Sequence, residues 1–324
     1  MLDFSKNVVR AQDIQNYCAI STVFIRAIDV NFHGETYVHL KGIEKLREKL
    51  PAYPGKRIAI LPLAAIAVGI LAYIFLIIID IIPRVFSDIV FLTIIEPFIP
   101  VLSSMFIAAL ALWLIWGVWN KREQMKEQHG DLAYQNILLR GLTGVFIIPS
   151  IVFHAFTSIR SLPPGPPIND LTIQWSRSLL PFLGIAPEID PWLRIILSGI
   201  PLLLGTLTIR SAILTFGFDY MAVVYLYFPE ESEIQSHEIY SVVRHPTYLG
   251  GVLLGVASMC LRFSVYSILI GFLILLVFRL QIWKEEKELV ERFGEGYIEY
   301  RKKVPALLVR PSKLKSYFKF LRSN

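Results

Sequence analysis

Long apolar runs separated by short polar breaks dominate the chain, and a membrane-crossing helix needs roughly 20 mostly apolar residues. Such runs fall at residues 58–82, 92–119, 137–156 and 195–214. Two more follow closely, a short one at 247–261 and a longer one at 265–283, and the break Leu261-Arg262-Phe263-Ser264 between them predicts a helical hairpin. The pattern predicts an all-α, polytopic integral membrane protein with about six transmembrane helices, ending in that hairpin and a polar tail. Residues 220–228 (YMAVVYLYF) are apolar and aromatic but too short to cross, so they are expected to run along the interface or line a cavity.

Three regions follow from this pattern. Residues 1–57 form a polar head in which 42–50 (GIEKLREKL) has helical charge spacing and Pro51-Ala52-Tyr53-Pro54-Gly55 stops it, predicting a short helix at the membrane surface. Residues 58–190 hold three spans and a long connection containing SLPPGPP, with Trp175 and Trp192 suited to an interfacial belt. Glu96 and Arg140 lie near hydrocarbon depth there and are expected to find structural partners. Residues 191–324 form a membrane core with a polar tail.

Composition agrees with the pattern: 54% of the 324 residues are hydrophobic and 18% charged, and the mean hydropathy is +0.55. Soluble domains carry about 25% charge. The distribution of charge adds orientation. Nine Lys or Arg lie in residues 1–57 and eleven from Lys284 onward, whereas Arg84, Arg160, Arg177, Arg194 and Arg262 are nearly all that fall on the other side. With six spans every basic segment reaches one face, so both termini are expected in the cytoplasm. The net charge of +6 is then a topology signal, and nucleic-acid binding is not expected. With only Cys18 and Cys260, no disulfide framework is available. A zinc site on His237 and His245 lacks a third ligand, so no metal is expected.

Chemistry concentrates after the fourth span. Pro246 suits the first turn of a helix and pushes His245 out of helical geometry, placing Arg244 and His245 at the head of the fifth span. Gly251 and Gly255 give that span a small-residue face. Arg279 and Glu286 are two turns apart on one helical face, and both hairpin ends emerge on the same side. Arg244, His245, Tyr248, Arg279, Glu285 and Glu286 are therefore expected around one pocket at the membrane surface.

The run Tyr240, Val243-Arg244-His245-Pro246, Tyr248, Gly250, a helical hairpin, Arg279, Glu285-Glu286, Leu289, Phe293-Gly294, Tyr297, Tyr300 and Val304-Pro305 resembles the isoprenylcysteine carboxyl methyltransferase and phospholipid methyltransferase group of membrane enzymes. The resemblance covers the last quarter to third of the chain. It implies S-adenosylmethionine as cofactor, held by His245, Tyr248 and Glu286 with Arg244 nearby; Gly250 belongs to the same set. It implies closure over the cofactor by the segment around Tyr297 and Tyr300, and Arg279 facing a lipophilic acceptor. A carboxylate acceptor needs no base and would be oriented by Arg279; a lipid amine would need Glu285 or Glu286 as base. Two positions depart from the family pattern: Glu238 replaces a usual glycine, and the closing proline comes late, at Pro311. Two other readings compete. Membrane sterol reductases share the Arg-His-Pro element but use a reduced nicotinamide cofactor, and a non-catalytic membrane protein would keep the fold for packing alone.

Overall fold

A computed structural model describes residues 29–30, 36–37, 42–165, 167, 169–217, 224–228 and 233–323; Cys18 and residues 220–223 lie outside them. Apart from two paired two-residue strands, β1 (Asp29–Val30) and β2 (Thr36–Tyr37), the described structure is helical. The helices are α1 (Ile43–Glu48), α2 (Ile60–Val85), α3 (Val90–Ile95), α4 (Ile99–Asn120), α5 (Arg122–His129), α6 (Ala133–Phe156), α7 (Asp170–Ser176), α8 (Asp190–Phe216), α9 (Val224–Tyr227), α10 (Pro246–Arg262), α11 (Val265–Lys303) and α12 (Leu314–Ser323). Among the described residues, five helical segments are long and apolar enough to cross a membrane. The sixth expected span is α10, with 17 residues.

Helices α2, α4 and α6 bury a shared apolar seam, Leu76, Ile107, Ala111, Ile115, Ile147 and Ile151, against Ile270, Ile274 and Val277 of α11. Their outer faces keep Ile70, Leu71, Phe106 and Phe153 exposed, the arrangement that lipid rather than water allows. Helix α8 crosses α10 at a glycine pair. A Cβ on Gly250 would come within 2.8 Å of the Gly205 carbonyl, and one on Gly205 within 2.9 Å of the Gly250 carbonyl, so only glycine permits this approach. Gly250, expected with the cofactor residues, packs at this crossing against Gly205 and Ile209 of α8. The hairpin between α10 and α11 turns at Phe263, in the left-handed region with φ 44°, and Ser264 caps α11 reciprocally with Ser267.

Helix α1 does more than lie at the surface. Leu46 and Leu50 are buried in a cluster with Leu61, Val118, Tyr134 and Leu226, which docks the helix under α4, α6 and α9. Trp175 packs edge-on against Phe98 and Tyr266, and Trp192 is exposed.

Glu96 has its partner in Arg84, 3.4 Å away with both side chains 2% exposed. Arg84 also donates to the carbonyls of Ile159 (2.6 Å) and Leu162 (2.5 Å), and Glu96 accepts from the Asn169 amide at 2.8 Å. Beside them His154 bridges Asp80 (2.7 Å) and Ser104 (2.9 Å), all three buried. Among the described residues, Arg140 meets no carboxylate in the same way. It reaches the carbonyls of Leu114 and Trp113 and lies 4.2 Å from the Trp113 ring centre.

Candidate active site

Pro246 opens α10 and His245 precedes it with φ −121° and ψ 67°, the non-helical geometry that a following proline imposes. The backbone there is held by the tail of the chain: Arg244 and His245 donate their amides to the carbonyls of Pro305 (2.9 Å) and Ala306 (3.1 Å). Arg244 further donates to the carbonyls of Arg301 and Val304. The C-terminal segment is thereby strapped across the head of α10.

Helix α11 brings the carboxylates. Glu286 Oε1 accepts from Arg244 Nε (2.9 Å) and Nη2 (2.5 Å) and lies 3.2 Å from His245 Nε2. Glu285, one residue earlier, turns to a different set. It accepts from Tyr248 at 2.7 Å on one oxygen and from Tyr225 at 3.3 Å on the other. The His245 ring stacks on Tyr248 at 5.5 Å with 8° between planes, and Tyr248 stacks on Phe278 at 5.6 Å. Burial, and next the Glu285 charge, hold the phenols of Tyr225 and Tyr240 well above their ordinary range, so both remain neutral hydroxyls.

After Phe293 the helix breaks at Gly294, with φ 54° and ψ −133°, a conformation open essentially to glycine alone. The break redirects the chain so that Tyr297, 4% exposed, turns inward and Tyr300 donates to the Tyr240 carbonyl at 2.6 Å.

These groups line one end of a cavity of about 500 Å³, within the range of small-molecule sites. Arg244, His245, Tyr248, Glu285, Tyr297 and Tyr300 line it, with Glu286 bound to two of them. Arg279 is exposed on α11 and is not among the lining residues; the face of that helix toward the cavity carries Phe278, Gln281 and Glu285. Away from the polar end the cavity runs along α6 (Val145, Pro149, Val152, Phe153) and α8 (Leu202, Ile209), and is almost wholly apolar there.

Sequence reasoning did not single out Tyr225, Gln281 or Trp116. Residues 220–228 were expected to line a cavity or the interface, and Tyr225 does line it. Gln281 and Trp116 carried no signal, since a polar residue and an indole inside apolar runs look like many others.

Glu238, where the resemblance led to the expectation of a glycine, has φ 47°, and a left-handed backbone costs an ordinary residue about 1–2 kcal/mol. The Glu238 carboxylate accepts from Thr215 at 2.6 Å, and its carbonyl accepts from Ser241 at 2.5 Å.

Comparison with known proteins places this region. The model of the isoprenylcysteine carboxyl methyltransferase family matches residues 196–291. A protein-S-isoprenylcysteine O-methyltransferase of Xenopus laevis is 31% identical over 35% of this chain and 40% of its own length. That of Schizosaccharomyces pombe is 34% identical over 32% of the chain and 45% of its own. The corresponding B protein of Arabidopsis thaliana is 26% identical over 32% and 54%. The chain thus spans about half, or less, of the length of these curated relatives. No solved structure matches it. The hairpin turn and the carboxylate pair Glu285-Glu286, with the Arg244-His245 lead-in that meets them, all fall inside residues 196–291, the segment similar to the isoprenylcysteine carboxyl methyltransferase family.

Proposed function

We propose that the protein transfers a methyl group from S-adenosylmethionine to a lipophilic acceptor, of the prenylcysteine carboxylate kind that its relatives' names describe. The observation that carries this reading is the shape of one cavity: a polar end ringed by Arg244, His245, Tyr248, Glu285, Tyr297 and Tyr300, continuous with an apolar arm along α6 and α8. Polar and apolar ends in one space suit a reaction between a charged nucleoside donor and a lipid.

The residues present fit the donor. It carries a sulfonium, an ammonium, a carboxylate and an aromatic base. Glu285 and the faces of Tyr248, Tyr297 and Tyr300 suit the cations and the base, and Arg244 with His245 suits the carboxylate. When bound, the donor supplies an electrophilic methyl on a positively charged sulfur. The protein's part is alignment and exclusion of water, since in-line displacement needs the two reactants held in register. The C-terminal strap, fixed through Pro305, Ala306 and the Tyr300–Tyr240 bond, closes the polar end. A carboxylate acceptor is already ionised and asks for no base. Glu285 and Glu286 are both engaged by donors, as this role requires. In this reading the polar end faces the cytoplasm, as the basic head and tail imply.

Titration of S-adenosylmethionine and, separately, NADPH into detergent-purified protein, beside His245→Ala, tests the donor. Heat from S-adenosylmethionine that disappears in the variant is expected; heat from NADPH alone would overturn the reading. Labelled methyl transfer to N-acetyl-S-farnesylcysteine, compared with phosphatidylethanolamine, then tests the acceptor, and labelling of the amine lipid alone would transfer the assignment to amines.

A further inference from the structure

Helix α12 has three chemically distinct faces. Residues 300–324 hold eight Lys or Arg and no Asp or Glu, and on the helix positions four apart share a face. Tyr317 and Leu321 are buried and form the docked stripe, with partly buried Phe320 beside them. Leu314 and Phe318, 42% and 43% exposed, form a second stripe. Lys315, Lys319 and Arg322 form a third, all exposed, and among the described residues none of the three meets a carboxylate.

The docked stripe fixes where α12 lies. The Tyr317 and Thr208 hydroxyls bond each other, and Ser211 donates to the Phe320 carbonyl at 3.2 Å. Thr208 and Ser211 stand about 12 Å and about 8 Å from the end of α8, at about 1.5 Å per residue. Helix α8 has 27 residues, so it measures about 40 Å and overruns a hydrocarbon layer of about 30 Å by about 5 Å at each end. Helix α12 therefore rests at the boundary between hydrocarbon and headgroups. Lipid reaches this end of α8, since Leu203 and Leu214, three turns apart on one face, are both exposed.

At that boundary an exposed leucine and phenylalanine flanked by excess cations match one surface: the apolar side chains enter the acyl region while the cations meet anionic headgroups. An acidic soluble partner would match the cations but would have to displace lipid from Leu314 and Phe318. The same helix holds the strap. Tyr317 and Leu321 share an apolar cluster with Tyr240 and Val243, and Leu307 and Val309 pack against it, directly after Pro305 and Ala306, whose carbonyls bind the amides ahead of α10.

We propose that α12 binds the anionic lipid surface of the leaflet at this end of α8 and so anchors the strap over the polar end of the cavity. This stands apart from the donor reading, since the contact needs neither substrate.

Hydrogen–deuterium exchange of residues 304–322 tests it, read by mass spectrometry on the full chain in nanodiscs of phosphatidylcholine alone or mixed with phosphatidylglycerol. Wild-type exchange should be slower by about tenfold or more with the anionic lipid, because three cations each add severalfold at a negative surface, and added salt should erase the difference. Lys315→Gln, Lys319→Gln and Arg322→Gln combined should exchange alike in both discs. Phe318→Ser should exchange faster in both and keep the difference. Equal wild-type exchange in the two discs would mean that α8 alone holds the helix, leaving its outer faces to a soluble partner. A difference that survives the triple substitution would assign the lipid contact to other basic residues, and slowing confined to 314–322 would free the strap from the helix; each of these outcomes overturns the proposal. The substituted side chains are all exposed, and should the triple variant not fold, the salt dependence of the wild type decides alone.

Discussion

At the scale of the residue, the buried charges and one strained backbone position make the sharpest predictions. Arg84 and Glu96 are both 2% exposed in a region read as lying within the membrane, and removing one partner of a buried pair leaves the other charge uncompensated at about 3–5 kcal/mol. Arg84→Met should therefore lower the midpoint of thermal unfolding in detergent strongly, and Arg84→Met with Glu96→Gln should recover part of the loss. A single variant as stable as wild type would mean that the backbone carbonyls, not Glu96, hold the guanidinium. At Glu238, the left-handed backbone is offset by the bond from Thr215. Thr215→Val should cost about 1 kcal/mol, and Glu238→Gly should leave stability near that of wild type, because relief of the φ 47° strain offsets the lost bond. Thermal scans of the two variants check both signs. The pairs behind these predictions were only half legible in the chain. Glu96 could be flagged as a group needing a partner, but Arg84, His154 with Asp80, and Trp116 with Gln281 meet across 12 to 165 residues, and no local pattern encodes such a meeting.

At the scale of the element, hydrophobic run length located the spans well because crossing hydrocarbon requires a fixed number of apolar residues. Ends were less legible. The last apolar run closes near residue 283, yet α11 continues to Lys303 with one break, since its polar half packs under the tail and the α9 segment rather than ending at the interface. The break itself is at Gly294, where a Cβ would meet nothing within 4 Å. Gly294→Ala isolates the backbone term for that reason: a cost of about 1–3 kcal/mol is expected from the φ alone. Because the turn aims Tyr297 and Tyr300, weaker S-adenosylmethionine binding should accompany it, measured by titration. Unchanged stability would show that the segment adopts another turn. Arg279 shows the same limit from the other side. Its seven-residue spacing to Glu286 holds on the helix, but which sector of α11 faces inward is decided by the neighbours of that helix, and they select Phe278, Gln281 and Glu285.

At the scale of the whole molecule, the cavity belongs to neither region alone. Its polar end comes from the matched segment and the tail, and its apolar arm from Leu202 and Ile209 of α8, inside the match, and from α6, outside it. Filling the arm should therefore affect the acceptor and spare the donor. Val145→Trp, at a half-exposed wall position, is expected to raise KM for a farnesylated acceptor about tenfold or more, since a misfit of even one methylene is worth about 1–3 kcal/mol, with S-adenosylmethionine affinity unchanged. Equal loss of both would place the acceptor's tail elsewhere. The sequence by itself determined the solvent of this protein, the number and position of its long helices, the hairpin, and the motif around His245-Pro246 and Glu285-Glu286, because these depend on run length, proline geometry and short-range order. Only the tertiary structure decided which of those motif residues face the cavity, that Gly250 lies at a helix crossing and Arg279 is exposed, and that Trp116 meets Gln281 and Arg122 meets Glu288. Those outcomes depend on how helices rotate and dock against one another, a balance of packing summed over many partners far apart in the chain.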